Sequence, residues 1–495
     1  MTDERDTQMT TYRLTTEVFA LPHGEQHIVY APLRETSMLV NSGALAVMAD
    51  VAAEREVTPS AGSHELIELL LELDLIRAGD ESRPDEPRDG QMREARCDGG
   101  CGGPGDSALR PVACTLFLTT DCNLRCLYCY ASGGERPRYL DERIALDAID
   151  LIVGNASSSG TGKASVTFHG GGEPTLAAAT LMRCADHARR RCDGEGLELS
   201  VGLATNGVMS DDMRDFLATT MTSVVVSIDG PPAVQDRLRP VAGGAPSSAA
   251  VERTLTRLAG GSCSVGARLT CTSDSIDHAY EAVCHLVDDH ALSHVHLEPL
   301  FVCGRSVGRG LQPPDPGRFV EVVRACREYA RPRGVKIAYS GARQSSLTSS
   351  FCQASTPSFN VTTEGDLTAC YEVTGRDDPR AETFIYGSYD AAGRSFLFDE
   401  ARLAALRRLT VRDAPRCAHC FAKYHCAGDC PSKRLYSGAD DAVIARCEIN
   451  RRLTLDQLEE HVLGGPTATH SDGEQSAVAS APRAREVETA DRGVA

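Results

Sequence analysis

The chain opens with short apolar runs separated by polar breaks. Tyr12-Arg13-Leu14 and Ile28-Val29-Tyr30 predict strands. His64 to Leu75 reads HELIELLLELDL and places Leu66, Leu69, Leu70 and Leu73 on one helical face. Residues 1–79 are therefore expected to form a small α+β unit. A flexible linker is expected at 80–110, because residues 80–107 hold no Leu, Ile, Val, Phe, Tyr or Trp and are rich in Gly, Pro and charge. From Val112 to about Ala338 the pattern becomes strand, loop and helix in repetition. Predicted strands are Cys114–Leu118, Ser165–Phe168, Leu197–Ala204, Ser223–Ile228, Gly266–Thr270 and His294–Leu297. Asp141–Val153, Leu176–Arg191 and Ser275–Asp289 are helical in pattern. Such alternation predicts a parallel sheet or barrel. Six strands fall short of the eight of a closed (β/α)8 barrel. Beyond Ser340 the regularity fades, and Gly465–Ala495 reads as a disordered tail.

Length and charge narrow the classes. The 495 residues suggest about three domains. With 51 Lys+Arg against 69 Asp+Glu, the net charge of −18 argues against broad phosphate-driven nucleic-acid binding. No run of about 18 apolar residues predicts a membrane span. The polar, acidic Met1–Thr11 does not resemble a secretory signal. A soluble cytoplasmic protein is expected. The 20 cysteines are out of keeping with that picture, since a cytosolic chain has little use for disulfides. They point to metal or redox chemistry.

The first cluster follows the first barrel-type strand. Thr119-Thr120-Asp121-Cys122-Asn123-Leu124-Arg125-Cys126-Leu127-Tyr128-Cys129-Tyr130 carries three thiols at spacing C-x3-C-x2-C. Three such ligands on one loop suit an iron–sulfur cluster with one iron left open, or part of a zinc site. Their position resembles the radical S-adenosylmethionine (radical SAM) superfamily, in which the open iron binds SAM and an electron cleaves it to a 5′-deoxyadenosyl radical. The second strand ends in His169-Gly170-Gly171-Gly172-Glu173-Pro174-Thr175, matching that family's GGEP motif. The resemblance implies that Gly171, Gly172, Glu173 and Pro174 hold SAM. Asn206 in Thr205-Asn206-Gly207, Ser227 and Arg268 would join them, at or near the C-terminal ends of later strands.

A second group comprises Cys352, Cys370 in Gly365-x4-Cys370, then Cys417-x2-Cys420-x5-Cys426-x3-Cys430, and Cys447. An irregular stretch this rich in cysteine needs an external staple. Disulfides are disfavoured by compartment, and zinc remains open because C-x2-C pairs are common zinc ligands. The full string resembles the SPASM extension of radical SAM enzymes. That resemblance implies two auxiliary 4Fe–4S clusters, the outer one on Cys417, Cys420, Cys426 and Cys447 and the inner one on Cys352, Cys370 and Cys430. Three ligands leave the inner cluster one short, so either a remote residue such as Cys303 completes it or one iron is open. Sulfatase-maturing members carry an extra Cys between the first two of these positions and an Asp directly after the second. Here Gln353–Ala369 has no Cys, and Tyr371-Glu372 follow Cys370. Cys184, Cys263, Cys271, Cys284 and Cys326 read as small buried hydrophobes, and Cys97 and Cys101 as linker thiols.

The expected architecture is α/β. A partial (β/α)6 TIM-type barrel spans 111–340 and a C-terminal SPASM iron–sulfur domain 341–450. The small N-terminal α+β domain at 1–79 has the size of a leader-peptide-binding unit. A terminal helix and tail occupy 451–495. The resemblance implies SAM, three 4Fe–4S clusters, a flavodoxin- or ferredoxin-type electron donor, and a precursor peptide or protein as substrate for cross-linking, thioether formation or oxidation. The competing expectations are a dehydrogenase or epimerase of a small sugar or aminocyclitol, and a zinc-structured binding protein.

Overall fold

The computed structural model describes residues 11–53, 61–78, 109–290, 292–343, 347–356, 358–436 and 440–464. Nearly all of the expected linker, Cys97, Cys101 and the tail from residue 465 lie outside them.

The N-terminal unit runs β1 (Tyr12–Leu14), β2 (Phe19–His23), β3 (Gln26–Ala31), β4 (Thr36–Val40), α1 (Ser42–Ala52), α2 (Ala61–Glu72) and β5 (Ile76–Ala78). Strands β2, β3 and β4 form an antiparallel sheet, and β1 pairs with β5. Asn41 starts α1 by accepting a hydrogen bond from the Ala44 amide at 2.8 Å. One face of β3 supplies Val29 and Ala31 to a core with Met38, Val40, Met48, Leu66 and Leu70. Its other face is equally apolar. Ile28 and Tyr30 are buried against Leu458 and Val462 near the end of the last described helix, so this unit is packed on the body of the protein.

The barrel follows: β6 (Ala113–Leu116), α3 (Glu142–Ser159), β7 (Lys163–Phe168), α4 (Ala178–Glu195), β8 (Glu198–Thr205), α5 (Asp211–Thr220), β9 (Ser223–Ser227), α6 (Pro232–Leu238), α7 (Ser248–Ala259), β10 (Ser264–Cys271), α8 (Ile276–Asp289), β11 (His294–Pro299), α9 (Pro316–Ala330) and β12 (Lys336–Ala338). All seven strands are parallel, paired in chain order. The sequence pattern predicts six; the three-residue β12 carries too little alternation to stand out. Strand alternation sorts the residues. Val166, Phe168, Val224, Val226, Val265, Leu269, Val295 and Leu297 are buried beneath the helices. Thr167, Ser227, Arg268, Thr270 and His296 alternate with them and face the barrel interior. Helix ends are set by local chemistry: Asp141 caps α3 through the Arg143 amide, and Gly160 ends it at φ 68°.

The remainder is β13 (Phe359–Val361), β14 (Asp366–Thr368), α10 (Ala381–Phe384), β15 (Ile385–Asp390), β16 (Ser395–Phe398), α11 (Glu400–Arg407), α12 (Lys423–Cys426), α13 (Pro431–Tyr436) and α14 (Asp440–Val462). This region is less irregular than its sequence suggests. β13 pairs in parallel with β6, and β14, β15 and β16 continue antiparallel, giving one 11-stranded sheet. The expected boundary at residue 450 falls inside α14. That helix carries Cys447 at one end and the Leu458–Val462 dock for the N-terminal unit at the other.

Candidate active site

Loops at the C-terminal ends of the strands build the site. The first cysteine loop leaves β6 and is locked to its neighbours by backbone bonds. The Gly172 amide donates to the Thr119 carbonyl at 2.9 Å, and the Glu173 amide to that of Asp121 at 2.8 Å. A Cβ at residue 172 would lie 1.9 Å from the Asp121 carbonyl oxygen, so only glycine fits there. Glu173 is 1% exposed. Its carboxylate accepts from the Asn206 amide at 2.7 Å, from the Thr175 and Thr205 hydroxyls at 2.8 Å each, and from the Thr175 amide at 3.2 Å. Burial raises its pKa, and these four donors offset part of that cost. Asn206 donates its amide to Asn123 at 2.8 Å and to the Cys122 sulfur at 3.7 Å. Pro174 opens the short helix that Glu173 caps.

Two arginines outside the sequence-based site residues close the cysteine loop from other sides. Arg239 reaches the Cys126 sulfur at 3.8 Å, pairs with buried Asp229 at 2.9 Å, and lies over the Tyr128 ring at 5.1 Å. Arg305, on the loop after β11, donates to the carbonyls of Cys126 at 3.0 Å and Gly133 at 2.8 Å. It stands directly after Gly304, where a Cβ would meet the Cys129 and Tyr130 carbonyls at 2.5 Å. Neither arginine belongs to a local motif.

The barrel interior is polar. Arg268 pairs in register with Ser227 on β9 and with His296 on β11. Its exposed guanidinium has no hydrogen-bond or ion-pair partner among the described residues. His169 is pushed down to about 4 by burial and the Arg268 charge, so it is neutral at pH 7. Tyr371 follows Cys370 into this space: its hydroxyl is 3.3 Å from Thr115 Oγ1 and its ring 4.8 Å from that of His169. The position that bears Asp in sulfatase maturases therefore presents a phenol to the interior. Glu372 turns away to Arg380, 2.7 Å from it.

The remaining cysteines named above fall into two groups. Cys352, Cys370 and Cys430 lie within electrostatic reach of one another, as do Cys417, Cys420, Cys426 and Cys447. Cys303 instead sits near Cys129, Glu372, Arg380 and Lys433. All 18 described cysteines are free thiols. Among the described residues no three cysteine sulfurs lie within 4.8 Å of one another. Four sulfurs around one zinc ion, each about 2.3 Å from it, would be about 3.8 Å apart. Spacing of this kind leaves room for a multinuclear cluster. Burial pushes Cys122 and Cys352 up to about 12, so a cationic centre is required to draw off their protons. Cys184, Cys271 and Cys326, by contrast, are buried in the apolar core.

A buried ion network joins the two halves. Arg446, beside Cys447, pairs with Asp429 at 2.7 Å and with Glu298 of β11 at 3.1 Å. Burial would raise Glu298, but His296, Arg446 and Arg268 outweigh it and hold the carboxyl well below its ordinary value.

A family model described as the radical SAM superfamily matches residues 116–270, the span that carries the cysteine loop and the glycine-rich turn. The chain carries a radical SAM domain, a class whose cofactors are SAM and a 4Fe–4S cluster. Its relatives include maturases. The sporulation killing factor maturation protein SkfB of Bacillus subtilis is 27% identical over 272 residues, covering 52% of this chain and 60% of the relative. The cysteine-type anaerobic sulfatase-maturating enzyme of Clostridium perfringens is 25% identical over 209 residues, covering 41% and 56%. A GTP 3′,8-cyclase of Mannheimia succiniciproducens is 35% identical over 115 residues, 23% of this chain and 32% of that protein. The chain thus spans about a third to three-fifths of the length of these relatives. Two solved structures share the fold. One is native anSMEcpe with bound AdoMet and the Cp18Cys peptide (TM-score 0.54, 16% identity, 70% of this chain and 97% of that chain). The other is Streptococcus suis SuiB bound to S-adenosylmethionine (TM-score 0.50, 13% identity, 86% and 97%). No described helix is long and apolar enough to cross a membrane.

Two outcomes test this geometry. Gly172→Ala is expected to separate the two loops and destabilise the protein by at least about 3 kcal/mol, read from the denaturant midpoint. Arg446→Gln removes the buried ion-pair partner of Asp429 and leaves Glu298 to His296 and Ser340, and is expected to cost about 3–5 kcal/mol in the same measurement.

Proposed function

We propose that this chain cleaves SAM reductively and uses the resulting radical to modify a side chain of a precursor peptide. The observation that carries the proposal is the loop of Cys122, Cys126 and Cys129 locked by backbone hydrogen bonds to the glycine-rich turn at the barrel mouth, with seven further cysteines gathered in two groups. Cys122, Cys126 and Cys129 hold the SAM-binding cluster. Cys417, Cys420, Cys426 and Cys447 hold an outer auxiliary cluster, and Cys352, Cys370 and Cys430 an inner one with one position left open. When bound, the first cluster supplies the electron that breaks SAM to a 5′-deoxyadenosyl radical.

The chain's own residues orient and insulate that event. The backbone of Gly171 and Gly172 receives the amino end of SAM, while Glu173 and Pro174 fix that backbone. Asn206 braces the cysteine loop. Ser227 and Arg268 bind the ribose and carboxylate, and Arg268 is equipped for this as a cation with no protein partner. Neutral His169 and Tyr371 line the route toward the inner group and are able to hold a proton at Nε2 and at the phenol oxygen. A peptide substrate is supported by kinship with SkfB and by the N-terminal α+β unit, which we assign to leader-peptide binding. A flavodoxin- or ferredoxin-type protein is the proposed electron source.

Iron and sulfide per chain, measured on anaerobically reconstituted protein, test the reading. About twelve iron are expected for wild type, from three four-iron clusters, and about eight for Cys122→Ala/Cys126→Ala/Cys129→Ala, with loss of 5′-deoxyadenosine formation. Zinc in place of iron, with no SAM cleavage, would overturn it. A co-expressed precursor peptide should change mass with wild type only. Turnover of a sugar or aminocyclitol in the absence of any peptide would overturn the substrate class.

A further inference from the structure

Away from the barrel mouth, three side chains converge between neighbouring outer helices. Glu252 projects from α7, His285 from α8, and His290 follows the C-terminal end of α8. His290 lies on the connection from α8 into β11, and Glu252 in the second turn of α7. Glu252 Oε1 lies 2.8 Å from His285 Nε2, and Glu252 Oε2 lies 3.0 Å from His290 Nε2. One ligand atom from each of the three residues falls within 4.8 Å of the others. The His290 side chain is 4% exposed, whereas His285 and Glu252 are 43% and 36% exposed, so the group opens to water on one side.

Proton counting leaves two ways to complete this arrangement, a second proton on His285 or a bound cation. His285 Nδ1 is 2.7 Å from Asp289 Oδ2 while its Nε2 faces Glu252. A neutral imidazole has one N–H and can satisfy one of these two carboxylates. The other contact then sets a nitrogen lone pair against a carboxylate oxygen. A cation between Nε2 and Glu252 removes the conflict, and Asp289 then acts as the outer carboxylate that orients a metal-bound histidine. In His290 the Nδ1 atom is buried without a partner, leaving the Glu252-facing Nε2 as the only engaged nitrogen. Two imidazoles and one carboxylate favour a divalent first-row transition ion over calcium or magnesium, which prefer oxygen ligands.

We propose that Glu252, His285 and His290 form a binding site for a divalent transition ion, with water completing its coordination, that ties α7 to the end of α8. The site is separate from the cysteine groups and does not depend on the reaction assigned to them.

Zinc alone is the probe. Cluster-loaded, full-length enzyme is chelator-treated under anaerobic conditions and equilibrated with limiting Zn2+, and zinc and iron are then measured together. Wild type is expected to hold about one zinc per chain. Glu252→Gln and His285→Gln should each lose that zinc with iron unchanged. The zinc-dependent rise in thermal midpoint should also be present in wild type and absent from both variants. His285 is largely exposed, so its variant carries the test if Glu252→Gln fails to fold. Equal zinc in wild type and variants, or none in wild type, would overturn the proposal and leave a protonated histidine paired with two carboxylates.

Discussion

The site depends on the close approach of two loops at residue 172, where a single methyl group would lie 1.9 Å from the Asp121 carbonyl oxygen. That approach brings the Gly172 and Glu173 amides onto the carbonyls of the cysteine loop. It also buries a carboxylate that then recruits Asn206, Thr205 and Thr175 as donors. Asn206 in turn touches the Cys122 sulfur. One steric constraint thus sets the position of three strand ends at once. The Glu173 carboxylate is a structural device: its four donors come from the protein, and what it presents outward is the backbone it holds in place.

Around this contact the protein places cations where buried thiols will need them. Arg239 stands against the Cys126 sulfur and Arg305 against the backbone of the same loop. Both come from segments far along the chain, so the cysteine loop is completed only when the whole barrel has folded. Arg446 repeats the pattern between Asp429 and Glu298. Such buried ion pairs add little net stability against apolar packing, yet are costly to break. Their effect here is to fix the barrel's sixth strand relative to the segment carrying Cys426, Cys430 and Cys447.

Much of this was legible in the sequence, for physical reasons that differ by element. Strands β7, β8, β10 and β11 alternate apolar and polar residues over five or more positions, β9 is a short Val run, and their helices bury clear apolar faces, so the pattern alone locates them. Three-residue strands such as β12 and β13 bear no period. β15 and β16 were hidden because IYGSYD and SFLF lie in a stretch dominated by cysteines and turns. The Cys122–Cys126–Cys129 loop and the run from Cys417 to Cys430 were legible because their spacing is local, whereas the grouping of Cys352, Cys370 and Cys447 rested on the family resemblance. Arg239 and Arg305 were not legible, since their partners are carbonyls and sulfurs distant in sequence. The Glu252–His285–His290 group escaped for the same reason: it joins two helices across a strand and leaves no motif.

The N-terminal unit was legible as a small α+β fold but not as a docked one. β3 reads as a strand with one buried face, yet both faces are apolar, because Ile28 and Tyr30 meet Leu458 and Val462. The Tyr30 hydroxyl also lies 2.8 Å from His425 Nε2, next to Cys426, and Leu33 packs with Cys417 and Tyr424. Lys423 pairs with Glu17 across the same seam. The unit therefore packs over Cys417 of the outer cysteine group. Deleting residues 1–79 would open that group to solvent as well as removing any leader-binding surface, so truncation cannot separate the two roles. Substitutions on the solvent side of β2, which leave the Ile28–Leu458 seam intact, separate them on physical grounds: they change what the sheet edge presents without changing what covers the cysteines.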